Sequence, residues 1–196
     1  MAASPRYSRP LRRPRTTVKA SVGNRLTLVL GGARSGKSRY AEGLFSAWPP
    51  PWSYLATAEA GDDEMTARIE AHRARRDARW RTIEAPRDIA AALARCDGKP
   101  SLIDCITLWL SNMLLADADI EREIGRLENV LAAAAAPVVL VTNEVGSGIV
   151  PDHSLGRRFR DLQGMTNQRM AALADCVVLM VAGLPLAVKG TLERVS

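Results

Sequence analysis

Three absences narrow the reading of this 196-residue chain before any motif is considered. Cysteine is scarce. Cys96, Cys105 and Cys176 show no metal-ligand spacing, and an odd count argues against a disulfide framework. Cys105 and Cys176 lie in apolar runs and read as small core residues, which suits a reducing cytoplasm. Long apolar runs are missing too. The longest, Val138–Thr142 and Val177–Ala182, have the length of buried strands and fall far short of the ~20 residues that span a bilayer. Acid is absent from Met1–Asn24, a stretch that holds Arg6, Arg12, Arg13, Arg15 and Lys19 among proline and serine.

The formal net charge of +6 is therefore concentrated at one end, and the rest of the chain is close to neutral. That distribution argues against a generally basic surface for nucleic acid. The N-terminal stretch lacks apolar periodicity and an apolar h-region, so it reads as a disordered, solvated tail and not as a secretory signal. It loosely resembles an organelle transit peptide, being rich in Arg and Ser and free of acid. The composition, 47% hydrophobic and 24% charged, is that of a globular protein with enough chain to bury a core. Residues 25–196 are expected to form one domain. There is no internal repeat.

Gly31–Ser38 reads GGARSGKS and fits the phosphate-loop pattern G-x-x-x-x-G-K-[ST]. Gly31 and Gly36 allow a tight turn whose N–H groups face a phosphate chain. Lys37 can reach the β and γ oxygens, and the Ser38 hydroxyl can sit on Mg²⁺. A helix starting near Lys37 adds the positive end of its dipole. The β-favouring run Arg25–Leu30 precedes the loop, and a helix-compatible run, Ser38–Phe45, follows it. The motif needs that strand–loop–helix context, and it implies a nucleoside triphosphate.

Strands and helices alternate after the loop. Strands are expected at Trp52–Ala56, Trp80–Glu84, Ser101–Ile106, Val138–Thr142 and, as the last, Cys176–Val181. Helices are expected at Asp62–Arg76, Arg87–Arg95, Thr107–Leu115, Asp119–Ala136 and Leu155–Ala174. Short continuous apolar strands between helices imply a mostly parallel sheet covered on both faces, with ligands at the carboxyl ends of its strands.

That rule selects the residues worth reading. Asp104 ends an apolar run in a core strand. An acid placed there in phosphate-loop enzymes holds Mg²⁺ directly or through water, and a helix N-cap is the bland alternative. On the helix Asp62–Arg76, Arg68, His72, Arg75 and Arg79 fall on one stripe if the helix runs that far, with Met65 and Ile69 able to pack on the core. A basic stripe with one imidazole suits phosphates arriving at a nucleophile. Neighbouring guanidinium groups would disfavour the imidazolium, and a neutral ring can attack phosphorus. An incidental histidine on a solvated face is the alternative. Glu84 could accept from a purine N1–H and N2–H₂, favouring guanine, or be a surface turn residue. The glycine-rich loop Asn143–Pro151 could approach a ligand, with Glu144 positioning a substrate hydroxyl, or be an ordinary connection. His153 reads as a surface loop residue. On the helix that follows, Phe159, Leu162, Met170 and Leu173 read as a packing face, and Arg157, Arg158, Arg160 and Arg169 as charge.

Together, GGARSGKS, then DDEMTARIEAHRARR and WRTIEAP within Asp62–Pro86, then LVTNEVGSGIVP at Leu140–Pro151, resemble one family. It is the bifunctional adenosylcobinamide kinase / adenosylcobinamide-phosphate guanylyltransferase family of cobalamin biosynthesis. RRFRDLQGMTNQRMAALAD at Arg157–Asp175 is similar as well, so the resemblance runs from about Leu26 to the C-terminus. It implies a RecA-like phosphate-loop fold, a homotrimer, and two activities. One phosphorylates adenosylcobinamide with ATP or GTP. The other attacks the α-phosphate of GTP with a histidine, releases pyrophosphate and passes GMP to the substrate phosphate.

On this resemblance His72 is the guanylylated residue and Lys37 a catalytic partner. Nucleotide contacts carry over to Gly31, Gly32, Ala33, Arg34, Ser35, Gly36, Lys37, Ser38, Ala56, Thr57, Ala58, Arg75, Arg76, Asp77, Ala78 and Glu84. Asp104 matches a family carboxylate and, with Ser38, would hold Mg²⁺. Some members carry a second histidine beside the nucleophile, where this chain has Ala71, and the N-terminal extension has no counterpart. Two other readings stay open at this point. One is a phosphate-loop kinase for another small metabolite with a structural His72. The other is a nucleotide-dependent binding protein whose basic tail contacts nucleic acid or an acidic partner.

Overall fold

The computed structural model describes residues 17–20, 23–74 and 76–195. In chain order the elements are β1 (Thr17–Ala20), β2 (Leu26–Gly31), α1 (Lys37–Leu44), β3 (Trp52–Ala56), α2 (Asp63–Ala74), β4 (Trp80–Glu84), α3 (Ile89–Ala94), β5 (Ser101–Asp104), α4 (Ile106–Leu115), α5 (Ile120–Ala133), β6 (Val138–Asn143), α6 (Ser154–Leu173), β7 (Cys176–Val181), β8 (Leu184–Lys189) and β9 (Leu192–Val195).

The apolar runs become strands because only a sheet covered on both faces buries every side chain of such a run. Leu28 and Val29 are adjacent and both fully buried, but they belong to opposite cores. Leu28 packs with Ile89, Trp109, Ile124 and Met170 of α3 to α6. Val29 packs with Ala41 and Leu44 of α1, Phe45 and Tyr54. The helices obey their own period. In α5 the buried residues are Ile120, Ile124, Leu127 and Leu131, one face of the helix. Its start is fixed by Asp119, whose side chain accepts from Arg122 N, as Asp88 accepts from Ala91 N at the start of α3.

The main sheet has the order β4-β3-β5-β6-β2-β7-β8. All neighbours are parallel except β7 and β8. A strand, β6, separates the phosphate-loop strand β2 from β5, and the fold is of the RecA-like α/β type. Register brings the strand ends together: Gly31 lies opposite Asn143, and Ala56 opposite both Glu84 and Asp104. Every loop singled out from the sequence therefore opens on one edge of the sheet.

Some expectations change. Thr17–Ala20, read as part of a disordered tail, forms β1 and pairs antiparallel with β9. Residues 1–16 and 21–22 of that tail lie outside the described residues. Cys176–Val181 is not the last strand. Ala182 and Gly183 both take left-handed backbone (φ 51° and 83°) and make a tight hairpin into β8. The expected strand at Ser101–Ile106 stops at Asp104, and α4 begins two residues later. The expected helix Asp62–Arg76 ends at Ala74, and that at Asp119–Ala136 ends at Ala133. Leu173, expected in the packing face of α6, is exposed.

Candidate active site

The phosphate loop turns where its glycines require it. Gly36 has φ 93°, a left-handed conformation that suits glycine, and it caps α1. At Gly31 space decides: a Cβ there would lie 2.7 Å from both Met180 O and Ser35 Oγ. No side chain caps the start of α1, and its first turn has no acid, so no side-chain oxygen competes with an anion for the N–H groups there. Lys37 folds back, and its Nζ donates to Gly32 O at 3.3 Å. Gly183 N donates to Ser35 O at 2.9 Å, which ties the loop to the β7–β8 hairpin. The buried Ser35 hydroxyl has no hydrogen-bond partner among the described residues.

Asp104 and His72 meet beside this loop. Tyr54 donates to Asp104 Oδ2 at 2.6 Å, and His72 Nδ1 lies 3.6 Å from the same oxygen. At that length the second contact is electrostatic and not a formed hydrogen bond. Burial alone would raise the Asp104 pKa. The contacts of His72 and Tyr54, with the nearby charge of Lys37, outweigh it and hold the carboxyl below its ordinary range. Burial, followed by the charge of Asp104, pushes the Tyr54 phenol far up, so it stays a donor. The side chain of His72 is 36% exposed, open to an incoming ligand yet anchored on one side. Asp104 does not cap the following helix. Cys105 holds that position.

The basic stripe does not reach Arg79, because α2 stops short of it. Arg75 lies outside the described residues, as does the side chain of Arg68. Arg79 is beyond α2 because Asp77 turns the chain: its carboxylate accepts from Arg79 N and grips the guanidinium, and Trp80 N donates to Asp77 O. Arg79 then lies over the Trp52 ring, and Arg76 over the Tyr54 ring, 3.7 Å from its centroid. Ala78 is exposed in the same turn. Among the described residues, the His72 ring faces the carboxylate of Asp104, a neighbour its own helix does not supply. Glu84, at the end of β4, is exposed and accepts from Arg73 at 2.8 Å. It lines an open groove of about 640 Å³ with Glu59, Pro86, Arg87 and Arg95.

Residues 27–188 match the family described as cobinamide kinase / cobinamide phosphate guanyltransferase. The chain belongs to that family. A relative named bifunctional adenosylcobalamin biosynthesis protein CobP, from Pseudomonas aeruginosa, is 48% identical over 169 residues, covering 83% of this chain and 96% of its own. The protein named CobU from Salmonella typhimurium is 46% identical over 183 residues, covering 84% and 99%. A solved KaiC-like protein from Pyrococcus horikoshii covers 86% of this chain and 83% of its own at 12% identity and a TM-score of 0.47. No helix among the described residues is long and apolar enough to cross a membrane.

In this cobinamide kinase / guanyltransferase the site is supported by residues the sequence singled out and by others, Tyr54, Asn112, Thr142, Gln163 and Asn167, that it did not. Thr57 is fully buried, and its hydroxyl bonds both Cys105 O and Cys105 N, so it stitches the loop after β3 to the turn after Asp104. Ala56 and Ala58 flank it, half-buried or at the end of β3. Asn112 of α4 donates to Thr57 O and Pro86 O and so ties the loops after β3 and β4 to that helix. Behind β6, Thr142, Gln163 and Asn167 bond one another, and Asn167 Nδ2 donates to Asn143 O at 3.0 Å. That network fixes the start of the Asn143–Pro151 loop, where Glu144 N donates to Gly31 O and the Glu144 carboxylate accepts from Gly146 N. Tyr54 gave no signal beyond a β-favouring aromatic. His153 caps α6, its Nδ1 accepting from Gly156 N at 2.9 Å.

Proposed function

We propose that this chain phosphorylates the aminopropanol hydroxyl of adenosylcobinamide with ATP or GTP, then transfers GMP from GTP through His72 to the new phosphate, giving adenosylcobinamide-GDP. The observation that carries the transferase half is the placing of His72. Its ring is in electrostatic contact with Asp104, whose carboxylate also feels the charge of Lys37 in the phosphate loop. An incidental surface histidine has no reason to face a buried carboxylate beside such a loop.

In this reading the N–H groups of Gly31–Ser38 and the start of α1 cradle the phosphates, and Lys37 neutralises them. His72 attacks the α-phosphorus and pyrophosphate leaves. The phosphate of the first product then displaces the histidine, so two easier displacements replace one hard one. Glu84 reads guanine, with Arg73 fixing its Oε1. The Ser38 hydroxyl and the Asp104 carboxylate are hard oxygen donors of the kind Mg²⁺ takes together with nucleotide phosphates. Bound there, the cation would offset phosphate charge. A cytoplasmic homotrimer completes the proposal. Its support is the edge strand β8, where Leu184, Leu186 and Val188 present exposed apolar side chains.

Incubation with GTP and Mg²⁺ followed by intact mass measurement tests the reading. One GMP adduct is expected, labile in acid and stable in base, and absent from His72→Ala. Equal labelling of wild type and variant refutes the assignment.

A further inference from the structure

The chain has two histidines, and the structure holds them in opposed settings. His153 accepts the Gly156 N–H at Nδ1, so that nitrogen carries no proton and the neutral ring is protonated at Nε2. His72 is turned the other way. Its Nδ1 faces Asp104 Oδ2. An ionised carboxylate only accepts, so the nitrogen that faces it is the one bearing hydrogen.

The carboxylate is held in place for this. Asp104 sits at the end of β5 in register with Ala56 and has a side chain only 10% exposed. Tyr54 donates to the same Oδ2 at 2.6 Å. Tyr54 is itself buried, edge-on to Trp80 and covered by Arg76. The 3.6 Å separation is long for a hydrogen bond, and such contacts tighten in the reacting complex, when the ring gains positive charge.

We propose that Tyr54 and Asp104 hold His72 as its Nδ1–H tautomer, so that Nε2 is the atom that takes the guanylyl group, with Tyr54 a positioning residue for that step. The inference rests on His72 being the guanylylated residue. The Nε2 lone pair forms the bond to the α-phosphorus as the bond from that phosphorus to the bridging oxygen breaks, its electron pair leaving with pyrophosphate. No proton has to leave Nε2. The positive charge on the ring is shared with Nδ1–H, which points at Asp104. In the return step a substrate phosphate oxygen attacks, the P–Nε2 bond breaks, and the neutral Nδ1–H ring is restored.

The test uses full-length protein labelled with ¹⁵N at histidine. Long-range ¹H–¹⁵N spectra at neutral pH should show His72 with a pyrrole-type Nδ1 and a pyridine-type Nε2. His153 should show the reverse, and its signals, identified by their loss in His153→Asn, serve as the internal reference. After GTP and Mg²⁺ are added, phosphorus should couple to Nε2 of His72. Tyr54→Phe keeps the ring and the carboxylate. It should mix the His72 tautomers, leave His153 unchanged, and slow adduct formation roughly tenfold, the effect of one hydrogen bond to a charged group. A protonated Nε2 at His72 in the free protein, or GMP on Nδ1, overturns the proposal. So does a Tyr54→Phe variant with unchanged tautomer and rate. Failure of any adduct to form with the Nδ1–H tautomer present overturns instead the guanylylation of His72, and the attacking-atom assignment with it.

Discussion

Replacing Thr57 by valine tests the joint between the two loops that carry the site. The Thr57 hydroxyl donates to Cys105 O at 2.8 Å and accepts from Cys105 N at 2.7 Å, at a position with no solvent exposure. Valine keeps the shape, so no cavity opens. It leaves the Cys105 N–H buried and unpaired, at a cost of ~1–3 kcal/mol, while the Cys105 carbonyl keeps its bond from Trp109 N. The loss is therefore about 1–3 kcal/mol. In a chain of this length each kcal/mol lowers Tm by ~2–4 °C, so the variant should melt about 2–12 °C below wild type. Thr57→Ser keeps both bonds and loses only a methyl group, so it should fall by about 1 kcal/mol. Thermal melting followed by calorimetry or circular dichroism separates the two. The joint also sets where Asp104 sits, because Thr57 N donates to Asp104 O at 3.2 Å. Adduct formation measured well below either Tm should therefore slow in Thr57→Val and persist in Thr57→Ser. A valine variant melting less than about 2 °C below wild type would refute the reasoning, since that is the least effect of one orphaned N–H.

Other outcomes are expected on the same grounds. Gly31→Ala forces a methyl to 2.7 Å from Met180 O, so it should abolish nucleotide binding in titration calorimetry or lower Tm sharply. All three cysteines are buried, and burial pushes the Cys105 thiol up to about 12, so a thiol reagent should label none in the native protein and all three after denaturation. Arg169 bonds Glu128 at 2.7 Å and also Glu121, and its hydrogen bond holds the Glu128 carboxyl below its ordinary range. A depressed carboxyl contributes stability above its unfolded pKa of ~4.3, and that contribution is lost as pH falls through the folded value. Arg169→Met should therefore cost about 1 kcal/mol near neutral pH, after allowance for solvent screening, and the difference from wild type should vanish in strong acid. Urea melts at both pH values check this.

Much of the framework could be read in advance because its signals are local. The phosphate loop is contiguous, and its turn needs Gly31 and Gly36 for reasons visible in eight residues. The core strands announce themselves as apolar runs, since a strand covered on both faces has no polar side. The helices expected from Arg87 and Asp119 begin within two residues of those positions, capped by Asp88 and Asp119. The failures were of a different kind. The edge strand β8 reads LPLAVK, an apolar run interrupted by Pro185. A proline counts against a strand unless the strand lies at a sheet edge, which the sequence does not reveal. The helix carrying His72 reads as longer than it is, because the turn at Asp77 depends on that carboxylate choosing Arg79.

By itself the sequence determined which ligand class the loop addresses, the alternation of strand and helix, and the family to which the chain belongs. Those properties reside in neighbouring residues or in short periods. Tertiary structure alone decided what each singled-out side chain faces. Parallel pairing sets Asp104 against Ala56, and Tyr54, fifty positions earlier than Asp104, becomes the donor to its carboxylate. His72 then meets a carboxylate where its own helix offered guanidinium groups. Contacts between strands far apart in sequence follow from sheet order and register, and no single segment encodes either.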